Sequence, residues 1–120
     1  VDALIVSNTT ISRPPLRSKF AGETGGLSGA PLHDLSLDVL RAFYAVLGTR
    51  LPLIGVGGIS SAEQAYARIC AGAALVQIYS ALVYEGPWLA ARINAGLKAL
   101  LRRDGYTHIS QAIGSEVTRP

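Results

Sequence analysis

The chain has 120 residues, a formal charge of +3, 49% hydrophobic and 16% charged residues, 13 glycines and one cysteine. That length suits one domain, and the high apolar and low charged fractions exclude an intrinsically disordered chain. A lone Cys70 excludes a disulfide framework, and no apolar run reaches the roughly 20 residues a membrane span requires.

The chain opens on an apolar run, Ala3-Leu4-Ile5-Val6, with no basic leader and no initiator methionine. It reads as a strand from the interior of a longer protein. The polar run Ser7-Asn8-Thr9-Thr10 follows, and then residues 11–33, a loop rich in Gly, Pro and Arg. Loops of that length are usually functional or mobile. Leu37, Leu40, Tyr44 and Leu47 recur at helical spacing, with Val39, Phe43 and Val46 widening the stripe. Asp34 or Ser36 is the candidate cap of this helix, and Gly48 its end.

Leu51 to Val56 predicts a second strand, ending in Gly57-Gly58. Ser60-Ser61-Ala62-Glu63 then has the form of a capping box, with Ser60 and Glu63 as the reciprocal pair. That helix ends at Gly72, and Ala73 to Ile78 predicts a third strand ending in Tyr79-Ser80. A last long helix has Pro87 in its first turn and Leu89, Ile93, Leu97 and Leu100 on one face. Arg102-Arg103 falls in its final turn, where the helix dipole favours cations, and Gly105 lies beyond its end. A short helix over Ile109–Ile113 is stopped by Gly114. Apolar runs without alternation suit strands buried on both faces, as in parallel sheets. Strands alternating with helices place the chain in the α/β class, a parallel sheet with helices outside.

In such folds ligands meet the carboxyl ends of the strands. After the first strand, Asn8 and the neighbouring hydroxyls form either a turn or a surface that hydrogen-bonds a polar heterocycle. After the second, Gly57-Gly58 ahead of a helix start suits either a phosphate cradle or a tight turn. Neither the dinucleotide fingerprint nor a P-loop is present, because Ser60 stands where a third glycine would and no lysine follows. Tyr79-Ser80 after the third strand would lie beside that loop. Thr24-Gly25-Gly26-Leu27-Ser28-Gly29 reads as a segment that wraps a ligand or as plain flexible surface. His33 and His108 have no second ligand at metal spacing, so surface or capping roles suit both. Cys70, beside Ile69 and Ala71, reads as an inert buried thiol. No dense basic stripe with interleaved aromatics points to nucleic acid, and no nucleophile–base pair stands out.

Val1 to Thr10, Gly25-Gly26-Leu27-Ser28-Gly29, Pro52 to Ile59 and Gly72 to Leu82, in this order, resemble the C-terminal part of the dihydroorotate dehydrogenases. The resemblance covers essentially the whole chain. Tyr79-Ser80-Ala81-Leu82 and Gly86-Pro87 are similar to the class 2, quinone-dependent enzymes; class 1 tends to carry Gly-Thr-Ala in place of Tyr-Ser-Ala. The resemblance implies a (β/α)8 TIM barrel of which residues 1–120 supply the last three β/α units. It also implies FMN as cofactor, oxidation of dihydroorotate to orotate in pyrimidine (UMP) biosynthesis, and a quinone as acceptor.

By the same resemblance Ser7, Gly29, Gly57, Gly58, Tyr79 and Ser80 border the flavin, with Ser7 standing where relatives commonly have Thr. Asn8 and Thr9 match the pair that holds dihydroorotate. Leu82, Val83 and Pro87 match the lining of the quinone tunnel. The family's general base, its flavin-contacting lysine and its membrane-facing helices belong to upstream segments, so no catalytic base is expected in this chain. The isolated segment is expected to be inactive. The resemblance further implies a peripheral enzyme of the bacterial cytoplasmic membrane, or of the mitochondrial inner membrane in a eukaryote. Another FMN barrel, such as the class 1 enzyme, and a non-catalytic phosphate-binding half-barrel are the alternative readings.

Overall fold

The computed structural model describes residues 2–6, 33–56, 59–78, 81 and 85–118. Its elements run β1 (Leu4–Val6), α1 (His33–Leu47), β2 (Leu53–Val56), α2 (Ala62–Ala71), β3 (Ala73–Gln77) and α3 (Leu89–Arg103). A 3-10 turn over Ile109–Gln111 and a short α4 (Ser115–Thr118) complete the order. The three strands form one parallel sheet in the order β1-β2-β3, as the unalternated runs predict.

Leu4 stands opposite Leu53, and Val6 opposite Gly55. On the other side of β2, Leu53 pairs with Ala73 and Val56 with Gln77, the register slipping between Leu53 and Ile54.

Three apolar clusters hold the helices to one face of the sheet. Val6, Leu53 and Ala73 from the strands close on Leu37, Leu40 and Tyr44 of α1 and on Ala71. Ile59, Ala65, Leu89 and Ile93 join α2 to α3, while Tyr66, Ile69 and Ala112 bind the C-terminal turns to α2. Val76 touches all three clusters, so β3 is the element through which they communicate. The other face is different. Ile5 is 55% and Leu75 63% exposed. Burial on both faces is therefore not what the described residues show, because their helices cover only the side that carries Val6, Leu53 and Ala73.

The element ends differ from the sequence expectation in detail. α1 begins at His33, so Asp34 and Ser36 lie inside it rather than capping it. Gly48 does close α1, donating its N–H to the Tyr44 carbonyl at 2.8 Å. The cap of α2 is Ser61, not Ser60: its hydroxyl accepts from the Gln64 N–H at 3.2 Å. Gln64, not Glu63, reaches back, taking the Ser60 N–H at 2.7 Å. The reciprocal box is therefore incomplete: Ser61, in extended backbone, caps the helix, while Gln64 bonds the N–H of the residue before the cap.

α3 starts at Leu89 with Trp88 as its cap residue, which leaves Pro87 just ahead of the first turn. The segment expected as one short helix splits at Gly114 into the 3-10 turn and α4. His108 caps that 3-10 turn, its Nδ1 accepting from the Ser110 N–H at 3.1 Å. Cys70 is half-buried rather than buried and packs at the edge of the Tyr66 cluster.

Candidate functional site at the carboxyl edge of the sheet

Parallel pairing brings the carboxyl ends of β1, β2 and β3 to one edge. Val6, the last residue of β1, sits opposite Gly55, and Val56, the last of β2, opposite Gln77, the last of β3. Whatever follows each strand therefore leaves from the same edge. The Ser36 hydroxyl donates to the Val56 carbonyl at 2.5 Å and ties the start of α1 to the end of β2. Immediately beyond, Ile59 is buried against Ala65, Leu89 and Ile93, so the return of the chain into α2 is anchored by packing as well as by the Ser61 cap.

The predicted site residues fall almost wholly beyond these anchors. Ser7, Asn8, Thr9, Gly29, Gly57, Gly58, Tyr79, Ser80, Leu82 and Val83 lie outside the described residues, as do the rest of Ser7–Thr10 and the Thr24–Gly29 segment. Pro87 is described: it is exposed, beside a Trp88 that is 77% exposed.

Between the starts of α2 and α3 runs a groove of about 260 Å³ lined by Ser60, Ser61, Glu63, Glu85, Leu89 and Arg92, among others. Its charges answer one another. Arg92 donates to the Glu85 carbonyl at 3.1 Å and approaches the Glu85 carboxylate at 3.5 Å. Among the described residues no three His, Cys, Asp or Glu side chains gather as a metal set, and no helix is long and apolar enough to cross a membrane.

One buried group went unmarked in the sequence. Arg68 on α2 is fully buried, with its stem against Gly55 of β2. Ala65 and Ile69, three residues before it and one after, belong to the same buried face of the helix. A cation at that spacing was the available signal. It is indistinguishable from a solvated arginine until the face is known.

A second polar cluster lies at the far end of α3. The Tyr66 hydroxyl donates to Asp104 at 2.5 Å, and the Arg103 guanidinium stands 5.9 Å from the centre of the Tyr66 ring. Burial, and next the bond to Asp104, push the Tyr66 hydroxyl well above its ordinary value of 10.0. Folding thus favours the neutral phenol, while the unfolded chain ionises it once the pH passes 10.0. The stability this group supports is complete below that pH and drains away as the pH rises towards the folded value. Thermal unfolding followed from pH 9 to about 12 is expected to show this alkaline loss, reduced in Tyr66→Phe. An identical loss in both proteins would refute it.

The sequence profile of the family described as dihydroorotate dehydrogenase matches residues 1–101. A protein of Sphingopyxis alaskensis named dihydroorotate dehydrogenase (quinone) is 60% identical over 113 residues, which are 94% of this chain and 32% of that protein. One of Parvibaculum lavamentivorans with the same name is 61% identical over 118 residues, 98% of this chain and 34% of that protein. Among solved structures, a DHODH from Eimeria tenella in complex with ferulenol matches with a TM-score of 0.94 and 42% identity. That match covers 99% of this chain and 32% of the other. The chain spans about a third of the length of the relatives it matches.

Proposed function

The chain belongs to the dihydroorotate dehydrogenase family, and on that premise we propose that residues 1–120 form the C-terminal part of an FMN-binding TIM barrel. Its reaction is the oxidation of dihydroorotate to orotate, with a quinone as electron acceptor, in pyrimidine biosynthesis. One observation carries this reading: the three strands end side by side on one edge, with Val6, Val56 and Gln77 as their last residues. Such an edge is where barrels hold ligands, and phosphate binds there through the loops after the last two strands.

FMN, when bound, supplies the hydride acceptor. The chain's own residues fit such a group in donor chemistry. Gly57 and Gly58, followed by a capped helix start, offer backbone N–H groups to a phosphate. Tyr79 and Ser80 follow the neighbouring strand and add N–H groups and a hydroxyl. Ser7 and Gly29 border the ring system, and Asn8 and Thr9 hold dihydroorotate with an amide and a hydroxyl, each able to donate and accept. Leu82, Val83 and Pro87 line the path of the quinone; the exposure of Pro87 leaves it free to meet another segment. Preceding segments of the barrel supply the general base and the peripheral membrane contact, on the cytoplasmic membrane of a bacterium. That location follows the bacterial relatives.

The test joins this chain to the preceding two-thirds of the Sphingopyxis alaskensis relative. The chimaera is expected to bind FMN, to lose flavin absorbance on adding dihydroorotate and to recover it with a quinone. A folded chimaera without that cycle would overturn the proposal. Within it, Asn8→Ala removes a hydrogen bond to a charged substrate, worth about 1.5–3 kcal/mol. Reduction of the flavin by dihydroorotate is expected to fall roughly 10- to 150-fold in kcat/KM, with FMN affinity unchanged.

A further inference from the structure

Side chains on a strand alternate between its faces, so the register sorts the sheet into rows. Ile5, Ile54 and Leu75 stand side by side across the three strands, and Ile5 and Leu75 are exposed on the face without helices. The next row, Val6, Gly55 and Val76, turns to the helices: Val6 and Gly55 are buried, and Val76 packs into the clusters there. One position further, Val56 stands opposite Gln77, and the alternation returns both to the open face. Gln77 is the last residue of β3 and is exposed. Among the described residues its carboxamide has no hydrogen-bond partner.

An amide in that row carries a cost once the barrel closes. The open face becomes the interior, which branched side chains fill in layers, and a carboxamide buried there without partners is destabilising. Towards the amino ends of the strands, Gln77 meets the row of Ile5, Ile54 and Leu75, which is hydrocarbon only. Its neighbour Val56 adds none of the missing donors or acceptors. On its other side lies the barrel mouth, where ligands bind.

We propose that Gln77 is a contact residue of the flavin, its carboxamide bonding the uncharged part of the molecule, the sugar-alcohol chain or the ring, at the barrel mouth. The inference rests on the functional reading above. Strand order favours the flavin over dihydroorotate. The phosphate loops of a barrel follow its last two strands, here β2 and β3, and Gln77 closes β3 itself. Asn8 and Thr9 follow β1, two strand spacings or about 9.5 Å away. A carboxamide is a neutral donor and acceptor, which matches hydroxyl and imide groups and takes no account of the phosphate charge.

The test measures binding of FMN, of riboflavin, which lacks the phosphate, and of lumiflavin, the ring alone, by flavin fluorescence in the chimaera. Gln77→Leu keeps the bulk and removes the donor and acceptor. It is expected to weaken FMN and riboflavin by the same factor, about three- to tenfold. An equal loss for lumiflavin places the contact on the ring, and an unchanged lumiflavin places it on the sugar-alcohol chain. Gln77→Met should repeat the result and decides the matter if the leucine variant does not fold. A loss for FMN alone would mark a phosphate contact. Unchanged flavin binding, whether with a lowered melting temperature or with a raised KM for dihydroorotate, would mark a structural partner or the substrate instead. Each of these would overturn the assignment while leaving the flavin reading intact. A parent chimaera that binds no flavin would overturn both.

Discussion

Alanine at Gly72 is expected to destabilise the protein by roughly 2–6 kcal/mol. Two costs combine at this position. The residue ends α2 at φ +130°, ψ −3°, a conformation that side chains rarely adopt. A Cβ there would also press into the Cγ and Cβ of Tyr44, a ring buried between Gly72 and Gly114. Gly114 leaves the ring little room to retreat, because a Cβ there too would overlap its far end. Against a typical total of about 5–15 kcal/mol, such a loss removes a large share of stability.

Urea unfolding of the chimaera measures it, and a double-mutant cycle separates the two costs. Tyr44→Ala is itself destabilising, since it opens a cavity. Combined with Gly72→Ala, it should relieve the steric part and leave a coupling of about 1–3 kcal/mol. Strict additivity of the two changes would show that the ring is not the obstacle.

The second large effect separates the two faces of the sheet. Leu53, 1% exposed in the middle strand, is enclosed by the helices on one side, and Leu53→Ala is expected to cost about 2–5 kcal/mol. Leu75, on the opposite face, is 63% exposed in this chain, and by that exposure alone its truncation would be nearly neutral. In the assembled barrel the same face becomes the interior, filled by layers of branched side chains. Leu75→Ala in the chimaera is therefore also expected to cost about 2 kcal/mol or more, by thermal or urea unfolding. A change below about 0.5 kcal/mol would contradict the barrel assignment. The apolar flank of α1 follows the same logic: Val39, Phe43 and Val46 are exposed at helical spacing beside a β1 whose outer edge has no partner among the described residues.

Much of this was written locally. The strands at Leu4, Leu53 and Ala73 announce themselves as unbroken apolar runs, and Gly48 and Gly72 mark helix ends because an exposed carbonyl at a helix end favours a left-handed residue there. The candidate residues Asn8 and Thr9, Gly57 and Gly58, and Tyr79 and Ser80 stand out for the same reason, as small or polar residues within three positions of a strand's end. Strand direction brings the ends of β1, β2 and β3 to the carboxyl edge; the candidate residues themselves lie outside the described ones.

Other features depend on contacts between distant residues. Ser60 and Ser61 are equally good caps by composition; Ser61, in extended backbone, is the one whose hydroxyl takes the Gln64 N–H, while the Ser60 hydroxyl donates to the Gln64 side chain. Ser36, one of two caps proposed for α1, instead reaches 20 residues along to the Val56 carbonyl, a partner that exists only once α1 lies over β2. A run without alternation also carries no mark of which side faces the helices. Val6 and Ile5 are chemically alike, yet one is 2% and the other 55% exposed.

The order of apolar runs and helical stripes along these 120 residues sufficed to determine an α/β chain with a parallel sheet whose strands end at one edge. Local propensity and strand direction are properties of the chain itself. Tertiary structure alone decided that Arg68 is enclosed rather than solvated and that Leu75 is open rather than covered. Burial belongs to the assembled neighbours of a residue, and no residue type carries it in advance.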